Sequence, residues 1–135
     1  MDKVVLMERA TRAKRKSNGK QLDYQRDRRS SPEGYVDRML ERARSRTPDS
    51  DLTRELLLTM IADGTCCVTG TQFEYENRFN CYHNPLAPSI DRIDSQRGYY
   101  ADNVQIMLSC LNKFKNDLPN SDFLALWKAL TGGNK

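Results

Sequence analysis

The stretch from Pro88 to Asn116, PSIDRIDSQRGYYADNVQIMLSCLNKFKN, constrains this chain more than any other. Ile90-Asp91-Arg92-Ile93-Asp94 carries three charged side chains on a short apolar stretch, which reads as a strand. Gly98 marks a turn, and Asn103 to Leu108 reads as a second strand. Ser109 to Asn116 contains neither Gly nor Pro, and Leu111, Phe114 and Leu118 recur at steps of three and four, which predicts a helix. The expectation is a strand, turn, strand, helix unit.

The flanking segments supply the rest of an α+β domain. Ser31-Pro32-Glu33 predicts a helix start, with Ser31 as cap and proline in the first turn. Tyr35, Met39, Leu40 and Ala43 share one face of Glu33 to Arg46, while Arg38, Arg42, Arg44 and Arg46 crowd the others. A turn at 47–51 leads to a second helix over Thr53 to Asp63, capped by Asp51 or Thr53, striped with Leu56, Leu57, Met60 and Ile61, and ended by Gly64. Apolar spacing alone explains both helices, so they are expected to be scaffold. Cys67 to Gly70 reads as a tight turn with Gly70 at positive φ, and Phe73 and Phe79 are expected to pack on the central unit. Glu74 to Ala87 reads as a surface loop carrying the lone His83. Ser121 is expected to cap a last helix that buries Phe123, Leu124, Trp127 and Leu130. The expected divisions are an arm over 1–31, a helical pair over 32–63, a core over 64–118, and a helix with its tail over 119–135.

The order and identity of these residues resemble the HNH nuclease family, whose ββα-metal finger holds one divalent ion. The likeness runs from Gly64 to Asn116. In the common family pattern an Asp-His pair ends the first strand, an Asn opens the second, and a His or Asn sits in the helix. Asp91, Asn103 and Asn112 match, but Arg92 replaces the histidine. The combination Cys-x-Thr-Gly, Asp-Arg-Ile-Asp, Gly-Tyr and Asn-Val is similar to an HNH-like subset with many phage or prophage members. The resemblance implies a ββα-metal core in which Asp91 and Asn112 hold one Mg²⁺ or Mn²⁺, while Asn103 ties down the loop. A carboxylate oxygen and an amide oxygen are hard ligands suited to either ion, and leave coordination places for water and phosphate. The competing reading of Asp91 is a structural ion pair with Arg92 or Arg97.

A general base titrates near neutral pH, and a guanidinium does not. Arg92 can bind phosphate instead. Three substitutes are available for activating water: Asp94, where Asp-Arg-Gly-His relatives place their base; His83, brought back by the loop; or the metal alone. The candidate catalytic residues are therefore Asp91, Arg92, Asp94 and Asn103.

The cysteines, at 66, 67, 81 and 110, include no pair with the two-residue gap of a zinc knuckle, so no structural zinc is expected. Cys67 matches a first knuckle position, but Gly70, Leu108 and Leu111 stand where further ligands belong. The thiols are expected to be buried small apolar groups rather than disulfides.

Charge is unevenly spread. Residues 1–46 hold 14 Lys and Arg against 7 acids, and residues 47–135 hold 8 against 11. A basic arm suits a phosphate backbone, and also suits a solvated tail. Arg12, Lys14, Arg15 and Lys16 in the arm, with Arg92, Arg97, Lys113 and Lys115 around the proposed ion, are the candidate DNA contacts. DNA is the expected partner. A module that has lost catalysis, and binds nucleic acid or a host protein, is the second reading. No apolar run spans a bilayer and the start lacks a signal-peptide stretch, so a cytoplasmic location is expected.

Overall fold

The computed structural model describes residues 30–132; the arm residues Arg12, Lys14, Arg15 and Lys16 lie outside them. The described chain is α+β: helix α1 (Pro32–Arg46), helix α2 (Arg54–Met60), strand β1 (Pro88–Arg92), a 3₁₀ turn (Ala101–Asn103), strand β2 (Val104–Leu108), helix α3 (Ser109–Lys115) and helix α4 (Asn120–Thr131). Among the described helices, none is long and apolar enough to cross a membrane.

Helix α1 begins where Ser31 Oγ accepts from the Gly34 amide at 3.1 Å, with Pro32 in its first turn. Val36, Met39, Leu40 and Ala43 are buried along it at helical spacing. Thr53 caps α2 by accepting from Leu56 N. β1 and β2 pair antiparallel with Pro88 opposite Leu108, Ile90 opposite Ile106 and Arg92 opposite Val104. Helix α3 packs on both strands and α1 packs on β1, and Ile90, Ile106 and Met107 of the sheet and Leu111 of α3 are buried.

A latch fixes α1 to the turn between the strands. Thr47 Oγ1 accepts from Tyr99 N at 3.0 Å, Ser50 Oγ donates to Tyr99 O, and Asp51 Oδ1 accepts from Ala101 N at 2.7 Å. The Tyr100 hydroxyl donates to Asp49, whose carboxylate raises its pKa above the ordinary phenol value. Gly98 is required here. A Cβ on it would lie 2.7 Å from Thr47 Oγ1 and 2.9 Å from Thr47 Cγ2, closer than van der Waals contact allows.

Several expectations need correction. α4 starts at Asn120, so Ser121 falls within its first turn and makes no cap. That helix buries Phe123 fully but leaves Leu124 and Leu130 exposed and Trp127 half-buried, because it packs along a narrow line. Phe73 enters the core, whereas Phe79 is exposed beneath the Arg78 guanidinium. Of the thiols only Cys66 is buried; Cys67, Cys81 and Cys110 are exposed, and all are free. Gly70 does take positive φ, at 71°.

Candidate functional site

The β1–β2 turn is built around Asn103, which is 2% exposed. Its Oδ1 accepts from Asp94 N at 2.9 Å, and its Nδ2 donates to Asp94 O at 3.0 Å and Gly98 O at 2.9 Å. One side chain thus closes the loop from both ends.

Asp91 and Asn112 differ in that each keeps an oxygen in reserve. Asn112 Nδ2 donates to Ile90 O at 3.0 Å and Ser89 Oγ at 2.7 Å. A backbone carbonyl only accepts, so the amide nitrogen is fixed on that side and Oδ1 faces the other way. Asp91 Oδ2 accepts from Gln105 Nε2 at 2.9 Å and from Lys115 Nζ at 2.6 Å. Among the described residues no donor reaches Asp91 Oδ1 or Asn112 Oδ1. Both side chains line a single polar cleft of about 260 Å³, together with Arg42, Arg46, Arg92 and Lys113.

The cleft has two walls. β1 and α3 contribute Ser89, Asp91, Arg92, Asn112 and Lys113; α1 contributes Arg42 and Arg46, one helical turn apart on the same side. Arg46 Nη1 donates to the Tyr99 hydroxyl at 3.4 Å, and Arg92 lies over the Tyr99 ring at 5.3 Å. Cations of both walls therefore meet around one tyrosine.

Sequence reasoning treated α1 as scaffold and so missed Arg42 and Arg46. A signal was present: Arg38, Arg42 and Arg46 recur at steps of four, which stacks them along one side of a helix. Several nominated residues lie elsewhere. Lys115 does not face solvent; it is fully buried, bonded to Asp91 and to Arg92 O at 2.7 Å, and it replaces Arg92 and Arg97 as the ion-pair partner expected for Asp91. The helix turns it inward because Lys115 stands one turn below Leu111, on the packed side. Arg97 does not line the cleft; it is held by Asp102 at 2.9 and 3.1 Å. Asp94 is exposed beyond the end of β1, where its Oδ1 accepts from Gln96 N, and it does not line the cleft. His83 is exposed against the Tyr82 ring, also apart from the cleft.

Comparison with protein families, curated proteins and solved structures finds no match for this chain. The site must be read from its own chemistry. Among the described residues no three His, Cys, Asp or Glu side chains gather as a metal cage. The cleft instead offers one carboxylate oxygen and one amide oxygen, a sparse hard donor set that suits an ion completing its shell with water and phosphate. At the zinc-knuckle positions considered above, Leu108 and Leu111 pack into the core.

Proposed function

We propose that this chain is an HNH-type endonuclease that hydrolyses phosphodiester bonds in DNA, with Asp91 and Asn112 holding one Mg²⁺ or Mn²⁺ within a ββα-metal core. The observation that carries the reading is the meeting of two uncommitted oxygens with Arg42, Arg46, Arg92 and Lys113 in one cleft. The bound ion would supply Lewis-acid stabilisation of the charge that develops on the phosphate oxygens. The residues around it have separate tasks. Lys115 and Gln105 hold Asp91 Oδ2, which orients the carboxylate and leaves Oδ1 for the ion. Ser89 and Ile90 orient Asn112 in the same way. Arg92 and Lys113 on one wall, and Arg42 and Arg46 on the other, bind the phosphate backbone. Asn103 positions the turn and touches no substrate.

The second reading is a catalytically silent module that binds nucleic acid or a host protein through the same cleft. It is favoured by one specific observation: among the described residues lining the cleft, Asp91 brings the one carboxylate and there is no imidazole. Supercoiled plasmid separates the two. The nuclease reading expects nicking with Mg²⁺ or Mn²⁺ that falls at least about 100-fold in Asp91→Asn and in Asn112→Ala, the scale of losing one preorganised electrostatic group. Salt-sensitive DNA binding without nicking in the wild type would establish the silent module, and neither activity would point to a protein partner.

A further inference from the structure

A second pocket, of about 110 Å³, adjoins the cleft and shares Arg42, Ser89, Ile90 and Ser109 with it. Its other walls include Tyr35, Met39, Pro88 and Arg38. Arg38 is the anomaly there. Its Nε and Nη2 are buried and, among the described residues, have no hydrogen-bond acceptor, while Cζ of its guanidinium lies over the Tyr35 ring, 4.3 Å from the centroid. A buried donor without an acceptor costs about 1–3 kcal/mol, so a fold keeps one for a reason outside its own packing. Nε and Nη2 form the side edge of the guanidinium, whose parallel N–H groups match two oxygens of one phosphate. Tyr35 sits against the guanidinium through a cation–π contact, and Arg42 one turn along α1 lines both spaces.

We infer that Arg38 and Arg42 form a second phosphate subsite, which takes a DNA phosphate adjacent to the one bound at Asp91 and Asn112. This rests on the cleft's being a DNA site, and not on its being catalytic. Arg38 lines this pocket, and a phosphate entering it would supply the acceptors that Nε and Nη2 lack. The arginines at 38, 42 and 46 then track one strand, about 6 Å apart along the helix axis. The pocket's mixed polar and apolar lining, with Met39 and Pro88 beside the arginines, leaves the sugar an apolar surface to rest on.

The test measures binding of a short labelled DNA duplex by the full chain across a salt series, with Ca²⁺ in place of Mg²⁺, beside plasmid nicking in Mg²⁺. Arg38→Gln is expected to weaken binding about 10-fold and to lower the slope of log K against log salt by about one. Arg38→Lys is expected to restore the slope but only part of the affinity, because an ammonium keeps the charge and loses the paired edge. The Lys variant also serves if the Gln variant unfolds. Wild-type affinity and slope in Arg38→Gln, or wild-type affinity in Arg38→Lys, would overturn the subsite. If the wild type does not nick plasmid but Arg38→Gln still loses affinity, the subsite stands and the nuclease reading fails. If the wild type nicks, Asp91→Asn does not, and Arg38→Gln binds normally, the opposite holds.

Discussion

Asn103 and Asn112 sit nine residues apart and make opposite uses of the same side chain. Asn103 spends both ends of its amide on the loop from Asp94 to Gly98, and almost none of it meets solvent. Asn112 commits only its nitrogen, to Ile90 and Ser89, and turns its oxygen toward a cleft lined with cations. The difference teaches where to look for chemistry. A polar group whose hydrogen bonds are all made within the chain is architecture, and one held firmly by one end with the other free is ready for a ligand.

Four substitutions probe how sharp that division is. The largest effect is expected from Lys115→Met, which leaves the Asp91 carboxylate buried without its ammonium partner. Loss of one member of a buried pair costs about 3–5 kcal/mol, read as a lower urea midpoint. A variant of unchanged stability would mean that Asp91 belongs wholly to the ligand side. Next comes Asn103→Ala, which removes three hydrogen bonds inside the turn. It is expected to cost about 2–3 kcal/mol of stability while the surviving folded protein nicks DNA at the wild-type rate. A folded Asn103→Ala protein with no nicking would place Asn103 in the chemistry and break the contrast. The smallest effects are expected from Asp94→Ala and His83→Ala. Both are exposed and apart from the cleft, so nicking should stay within about threefold of wild type for each. A loss of the size proposed for Asp91→Asn in either would identify the missing base and redraw the cleft.

Much of the architecture was legible in local pattern. Ser31 and Pro32 announced α1, and the short apolar stretch at Ile90 with the apolar steps at Leu111 announced the strand and the helix. Gly98 and Asn103 marked the turn. The nearness of Asp91 to Asn112 follows from the strand, turn, strand, helix order, and both line the cleft. Facing direction was harder to read. Lys113 and Lys115 look equivalent in sequence, yet a two-residue step on a helix turns by some 200°, so one reaches the cleft and the other enters the core. Arg42 and Arg46 failed for a different reason: their role depends on where α1 docks. That is set by Thr47, Ser50 and Asp51 bonding to a turn some fifty residues away, which no local periodicity encodes.

The latch between residues 47–51 and 98–101 also dictates when a competent cleft comes into being during folding. Each wall can form early from neighbours along the chain, but the gap between them exists only after two distant stretches have found one another, and closing so wide a loop is entropically slow. A nascent or partly unfolded chain therefore carries its arginines and its acid as separate pieces, and the cleft that brings them together exists only once residues 47–51 have met residues 98–101.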